Sequence, residues 1–454
     1  MFKTPVITEE FKDSPIGKIP KDWDVVELVE EINIVHGYAF KGEYFSETPP
    51  GEVLLVPGNF HREGGLYFEQ NNTKYYQGAI PENTVLSNGD LLIVMTDLSP
   101  RTLILGRVVQ LRLPFKVLHN QRIGKIVLRL PDSWNKRFLM IVMNSNRVRQ
   151  NIISTSSGTT VRHTSPGRIT TNMIPKPGLY DQDGITEILD AIDKAIALTD
   201  THITKLKKAK AGLLHDLLTR GIDDHGELRD YTRNPELFKR SVLGIIPKDW
   251  DIVTTEQAAA KVPGSTTIGP FGSNLLMSDY RSKGVPVVFV RDIKPNAFQW
   301  NSNIYIEQNK AKELASHTLE PSDLIATKMG EPPCVACVYP NWMPSGVITA
   351  DIIRLRPDLT IATSQWLSTF INSESVARQV RGITGGVTRA KVTLRDFRRL
   401  LLALPNPIEQ QCINKAIKDS EDLIRAKELT NEKLKLLKQG LMSDLLTGRV
   451  RVKI

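Results

Sequence analysis

Ile19-Pro-Lys-Asp-Trp-Asp24 is written a second time as Ile246-Pro-Lys-Asp-Trp-Asp251, half a chain length further on in 454 residues. Working outward, Ile16-Gly-Lys-Ile-Pro-Lys-Asp-Trp-Asp-Val-Val-Glu-Leu28 aligns with Leu243-Gly-Ile-Ile-Pro-Lys-Asp-Trp-Asp-Ile-Val-Thr-Thr255. Gly89-Asp90-Leu91-Leu92 then matches Ser322-Asp323-Leu324-Ile325, Asn144-Ser145 matches Asn372-Ser373, and Pro175-Lys-Pro177 matches Pro405-Asn-Pro407. The halves close on Asp216-Leu-Leu-Thr-Arg220 and Asp444-Leu-Leu-Thr-Gly448. A repeat this long is a domain-sized unit rather than one turn of a solenoid. The matched ends and unlike middles (29–83 against 256–316) describe one scaffold carrying two different readers.

Within each copy, short alternating runs broken by Gly, Pro and Asn read as strands. They include Glu52–Val56, Asp90–Met95, Leu103–Leu111 and Lys125–Leu130. Residues 134–152 and 364–381 read as helices, the first with Phe138, Ile141, Val142, Val148 and Ile152 on one side. Each copy then ends in a heptad seam. The first carries Ile185, Leu189, Ile192, Ile196, Ile203, Leu206, Leu213 and Leu217, with Thr199 and Lys210 in its polar places. The second carries Ile413, Ile417, Ile424, Leu434, Leu441 and Leu445, with Ser420, Lys427, Asn431 and Lys438 interposed. A strict seven-residue period drifts off a globular surface, so the two helices are expected to pair as an antiparallel coiled coil. Each spans about 50–55 Å at 1.5 Å per residue.

The expected fold class is mixed α/β (α+β), with two tandem mixed α/β domains, each followed by a long helix, in a pseudo-two-fold internal repeat. The boundaries expected are 1–182 for the first domain, 183–222 for its helix, 223–242 for a polar linker, 243–407 for the second domain and 408–454 for the last helix.

The net charge of +9 favours a polyanionic partner, although charge alone is a weak signal. No apolar run approaches the 18 or so residues a membrane span needs, and Met1-Phe-Lys-Thr-Pro5 does not resemble a signal peptide. A cytoplasmic protein is expected. Three cysteines give no disulfide framework. Cys334-Val-Ala-Cys337 lacks the second pair a zinc site needs and reads as strand, where residues three apart stand roughly 10 Å apart. Buried thiols are expected there. No P-loop, no dinucleotide-binding glycine pattern, no Asn/Asp-Pro-Pro-Tyr/Phe methyltransferase signature and no metal-spaced histidines occur. A non-catalytic binding protein is expected, with no metal or cofactor of its own.

Two segments have the chemistry of phosphate contact, where glycine and threonine let backbone N–H groups approach and Arg or Lys supplies charge. One runs from Arg147 through Ser157-Gly-Thr159-Thr160-Val-Arg162-His163 to Arg168. The other runs from Arg378 through Gly385-Gly-Val-Thr388-Arg389-Ala-Lys391 to Arg399. For base readout, which uses Arg, Asn, Gln and Lys at loop tips, the candidates in the first copy are Asn59, His61, Arg62, Asn120, Gln121 and Arg122, with Tyr38 beside Lys41. In the second copy they are Ser273, Asn274, Arg291, Lys294 and Lys328.

These residues resemble, over nearly the whole chain, the specificity (S) subunits of type I restriction-modification systems. The resemblance lies in Ile-Pro-Lys-Asp-Trp at each start, His36-Gly-Tyr-Ala-Phe-Lys41, Gly269-Pro-Phe-Gly-Ser-Asn274, Asn120-Gln-Arg122 and Pro405-Asn-Pro-Ile-Glu-Gln-Gln411. The ending Lys438-Gln-Gly-Leu-Met-Ser-Asp-Leu-Leu-Thr-Gly-Arg-Val-Arg-Val452 is the strongest match. Pro177-Gly-Leu-Tyr-Asp-Gln182 departs from the pattern at the start of the first helix. The resemblance implies two target recognition domains, each reading part of a bipartite, asymmetric site in double-stranded DNA. It implies helices that set the spacing and dock two methyltransferase (M) subunits, and restriction (R) subunits that join through that complex. S-adenosylmethionine, ATP and Mg are then expected on the partner subunits. The alternatives are a self-contained DNA methyltransferase or nuclease, and a coiled-coil scaffold without DNA readout.

Overall fold

A computed structural model describes residues 4–7, 10–384 and 390–453. The chain forms two compact units, Met1–Asp200 with Leu429–Ile454 and Thr201–Glu428. The mixed α/β fold with two long helices is the one expected from the sequence.

Unit 1 is built on a four-stranded antiparallel sheet of β1 (Ile32–His36), β2 (Leu91–Val94), β3 (Val108–Gln110) and β4 (Ile123–Leu128), in the order β3-β2-β4-β1. Two helices, α1 (Lys136–Met143) and α2 (Asn146–Ser154), follow it, and then the long α3 (Leu179–Thr219). Unit 2 repeats this with β5 (Thr266–Ile268), β6 (Leu324–Thr327), β7 (Ala336–Val338) and β8 (Ile352–Leu355), ordered β7-β6-β8-β5. Helices α4 (Ser364–Ile371), α5 (Glu374–Thr384) and α6 (Pro407–Leu446) complete the correspondence. Each single helix expected over 134–152 and 364–381 is therefore two, and the break falls on the matched Asn-Ser pair in both units.

That pair has a structural reason. Asn144 caps the edge strand β3: its Oδ1 accepts from Val108 N at 3.1 Å and its Nδ2 donates to Val108 O at 2.7 Å. Asn372 does the same for β7, at 3.0 and 2.7 Å to Ala336. An amide side chain thus replaces the next strand and satisfies an edge that is otherwise open to pairing. Gln182 and Gln410 form a second matched pair. Each accepts from a backbone N–H ahead of the preceding short helix (Asn135 and Thr363, both 2.8 Å) and donates to a proline carbonyl (Pro177 and Pro405, 2.9 and 2.8 Å). The departure seen in the sequence at 177–182 therefore does not change how the helix starts.

The repeated tryptophans explain the repeat itself. In unit 1, Ile19 and Trp23 share a core with Ile185 and Leu189 from the start of α3, and with Leu445 and Val452 from the far end of the chain. In unit 2, Ile246 and Trp250 pack with Ile413 and Ile417 from the start of α6, and with Leu217, Leu218 and Ile222 at the end of the first seam and just beyond it. Each unit is thus closed by the tail of the other copy's helix. A carboxylate and an arginine lock the closure. Trp250 Nε1 donates to Glu409 at 3.2 Å, and Arg229 bridges Glu409 at 2.6 Å and Asp249 at 3.0 Å. Trp23 Nε1 donates to Asp181 at 3.1 Å, and Arg451 bridges Asp181 at 2.6 Å and Asp22 at 2.7 Å. A glycine with positive φ precedes each arginine, Gly221 (+64°) and Gly448 (+68°); a Cβ would overlap Glu409, Arg229 and Trp250 at the first and Pro20 at the second. Residues 223–242, expected as a linker, carry Arg229 and the strand Phe238–Ser241, which pairs with Gly244–Pro247.

Antiparallel helix pairing is present inside each unit. In unit 1, Asp193 meets Lys438 and Asp200 meets Asn431, both at 2.5 Å. In unit 2, Lys207 meets Glu428 and Lys210 meets Glu421, both at 2.6 Å. The seam residues Leu189, Ile192, Ile203, Leu217, Ile417, Ile424 and Leu445 are buried, and Ile196, Leu206, Leu213, Leu434 and Leu441 are half-buried. The helices run 41 and 40 residues, starting at Leu179 and Pro407 and ending at Thr219 and Leu446, which is longer than the seams suggested. Cys337 lies in β7, but Cys334 precedes it at φ +66°, outside the strand expected there. Both are buried, and burial pushes both thiols up to about 12.

Candidate nucleic-acid interface

In unit 1 the C-terminal ends of β1 and β2 and the start of β4 meet at one edge of the sheet, as antiparallel pairing requires. β1 runs out through Gly37, whose missing Cβ lets the chain lie against the carbonyls of His119 and Asn120. Tyr38 N then donates to His119 O at 2.8 Å, and Gln121 N donates back to Tyr38 O at 3.0 Å. Unit 2 repeats this with Gly269, where a Cβ would overlap the Thr349 carbonyl. In both units a fourth segment reaches the same edge: Thr96 pairs with His163, and Met329 bridges to Lys391. The edge therefore gathers four parts of the sequence, 36–41, 95–97, 119–122 and 157–163, with 268–274, 328–329, 349–352 and 390–391 as counterparts.

At this edge of unit 1, Tyr38, Lys41, Gln121, Arg122, Thr159, Thr160 and His163 are exposed. His163 Nδ1 is also 3.0 Å from Thr96 Oγ1. Three candidates are not free to read bases. Asn120 is buried, and its Oδ1 holds the turn by accepting from Arg122 N at 2.9 Å. Arg162 donates to the carbonyls of Gly158 (3.0 Å) and Ile153 (3.2 Å), closing its own loop. Asn59 is fully buried, accepting from Val56 N at 2.9 Å and donating to Asn72 O at 3.1 Å. Asp292 repeats that turn role in unit 2, taking the N–H groups of Phe289, Asn301 and Ser302 at 2.9–3.0 Å. Asn59 was expected at a loop tip because asparagine is common at both tips and turns. His61 and Arg62, just beyond it, are exposed, with the His61 ring edge-on to Tyr67.

In unit 2, Asn274, Arg291, Lys294 and Lys391 are exposed. Arg291 stacks on the Phe289 ring at 4.6 Å and donates to Ser302 Oγ at 2.8 Å. Lys328 is 5% exposed; its ammonium lies 3.3 Å from Ala350 O and 5.0 Å from the centroid of the Phe271 ring. Burial first, then nearby Lys391, lowers its pKa against the opposing pull of Asp351. Thr388, Arg389 and the side chain of Ser273 lie outside the described residues. Sequence reading did not single out Phe271, Leu276 or Met277, which follow Gly269 and stand exposed in the loop. The available signal was their position directly after the strand-end glycine.

The register makes the two edges comparable. Met95 N bonds Arg122 O, and Lys328 N bonds Asp351 O, at 3.0 and 2.7 Å. At matched places, unit 1 thus has Met and Arg where unit 2 has Lys and Asp. Among the described residues there is no cluster of three or more His, Cys, Asp or Glu able to hold a metal, and no helix long and apolar enough to cross a membrane.

No family model matches the chain. It is 21% identical to the type I restriction enzyme MjaVIII specificity subunit of Methanocaldococcus jannaschii, over 98% of this chain and 97% of that protein. It is 22% identical to the type I restriction enzyme EcoBI specificity subunit of Escherichia coli, over 87% and 78%. Among solved structures, the fold is shared with a chain from a type I R-M system described for its complex assembly and conformational transition (TM-score 0.58, 15% identity, 95% of this chain and 99% of that one). It is also shared with the HsdS subunit from Thermoanaerobacter tengcongensis (TM-score 0.52, 15% identity, 96% and 100%). With its doubled scaffold, the chain is similar over nearly its full length to the specificity subunits of type I restriction enzymes.

Proposed function

We propose that this chain selects DNA sequence for a type I restriction-modification complex and carries out none of that complex's chemistry. Each unit reads one part of a bipartite, asymmetric site with its sheet edge, and the paired helices set the spacing between the parts. The observation that carries this reading is the chemical contrast at matched positions of one scaffold, Met95 and Arg122 against Lys328 and Asp351. Identical framework with exchanged charge suits two different DNA words. The helices also present exposed leucines, Leu429, Leu436 and Leu437 on α6 and Leu198 on α3, which suit docking of partner proteins. Two methyltransferase subunits are proposed there, with restriction subunits joining through them. S-adenosylmethionine, ATP and Mg belong to those partners. Adenine methylation within a duplex needs the base extracted, so the reader holds DNA while its partner acts.

The test is binding of duplex DNA by the full chain with its methyltransferase subunits across a salt series. For a reader contacting phosphates, the logarithm of the affinity falls linearly with log salt, with a slope near the number of contacts. Affinity indifferent to salt and to sequence would sink the reading in favour of a protein scaffold.

A further inference from the structure

The loop after Gly269 leaves three large apolar side chains in solvent, Phe271 at 58%, Leu276 at 47% and Met277 at 84% exposure. We propose that this loop is a wedge that enters a base step of the DNA half-site read by unit 2, an inference that rests on the DNA-reading function proposed above. The Phe271 ring does not hang free. The Lys328 ammonium lies near it and is itself anchored on Ala350 O, which leaves the exposed part of the ring open. Lys391 is delivered to the same edge by its bridge to Met329. An apolar loop with the exposed Lys391 at the same edge, beside the buried Lys328, matches DNA, which offers stacked bases between phosphates. Proteins that kink DNA insert Phe, Leu or Met between base pairs and hold the flanking backbone with cations. A cleft of about 400 Å³ opens between Pro270, Gly272 and Leu275 of this loop and the segments Phe289–Arg291 and Thr349–Asp351.

The same stretch of unit 1 is built differently. Tyr38, Tyr44 and Phe45 pack edge-to-face on the buried Phe40 and Tyr76 at 4.7–6.1 Å, and at 39–43% exposure they stand out less than Phe271, Leu276 or Met277. The wedge is therefore a property of unit 2.

The experiment uses the full chain with its methyltransferase subunits on a duplex carrying the mapped site. Permanganate oxidation detects unstacked thymines at steps other than the methylated adenine. The expected result is one hyper-reactive step in the unit 2 half-site. F271A and M277S, both exposed and away from the core, abolish that reactivity and weaken binding roughly tenfold or more; the unit 1 half-site is unchanged. Site-specific binding by the unaltered chain without any unstacked step overturns the wedge and leaves the reading function intact. So does reactivity that survives both substitutions, or a loss of methyltransferase association with the DNA pattern unchanged. Absence of salt-dependent, sequence-specific binding by the unaltered chain would instead overturn the reading function on which the wedge rests.

Discussion

Removing the Arg229 side chain strands a buried carboxylate. Glu409 is 5% exposed at its side chain and Arg229 11%, and the two meet through Nη1–Oε1 at 2.6 Å and Nη2–Oε2 at 3.2 Å. After Arg229→Ala, Glu409 retains only the Trp250 indole N–H at 3.2 Å and the Ile222 backbone N–H at 2.9 Å. Breaking one side of a buried pair costs ~3–5 kcal/mol, and the two surviving donors place this case near ~3. Replacing both partners with methionine is expected to recover much of that, because no orphaned charge remains. The matched substitution Arg451→Ala in unit 1 exposes a contrast. Arg451 is 31% exposed, with Asp22 at 57% and Asp181 at 12%, so solvent screens part of the loss and leaves about 1–2 kcal/mol. The two units can open separately, so a single two-state midpoint is a poor readout. Native-state hydrogen exchange of peptides spanning 213–222 and 405–417 reads the opening free energy of unit 2 directly. A cost for Arg229→Ala below ~1 kcal/mol, or equal to that of Arg451→Ala, would refute the claim that the clasp is a buried lock.

Other consequences follow from burial and helix geometry. His119 is buried with its Nε2 2.9 Å from Ile123 O, and burial lowers its pKa from 6.5. The unfolded chain then binds the extra proton more readily, so stability is complete above pH 6.5 and falls as pH drops below it. The opening free energy of unit 1, read by native-state hydrogen exchange of peptides spanning 117–128 across pH 5–7, should show this for the unaltered chain and not for His119→Gln; equal slopes would contradict it. A thiol reagent should label Cys412 in the native chain and reach Cys334 and Cys337 only on unfolding, since only Cys412 is exposed. Deleting one heptad from the middle of α3 and one from the facing part of α6 removes about 10 Å of helix. That should shorten the spacer of the DNA site by roughly 3 base pairs with both words kept; an unchanged spacer in the methylated sites would contradict the ruler.

Much of the scaffold was legible because it was written twice. Ile-Pro-Lys-Asp-Trp supplies a buried isoleucine, a buried tryptophan and the aspartate that meets the clasp arginine, and the heptads gave both long helices. The pattern could not reveal that Trp23 sits on residues 441–452 and Trp250 on 213–222, because a contact made by the other copy's tail leaves no local period. The break at Asn144-Ser145 was equally hidden: the pair was visible as a match, but its task is to cap an edge strand some 36 residues earlier. At the candidate interface, several of the loops singled out in the sequence meet at one sheet edge, but not all of the side chains singled out are exposed there. Asn59, Asn120 and Arg162 have the donors a base reader needs, and the fold uses those groups to hold its own turns. Phe271 and Met277 escaped notice because an apolar residue in a sequence reads first as core.

The central claim is that one chain carries two independent readers. It is tested most directly by mapping N6-methyladenine across the genome of a host that makes this chain with its methyltransferase subunits, beside a host making the double variant Q121A/R122A. The account predicts a bipartite methylated motif with the unaltered chain, and a relaxed or altered word in one half only with the variant. Methylation that lacks a two-part motif, or a variant that changes both halves together, would contradict it.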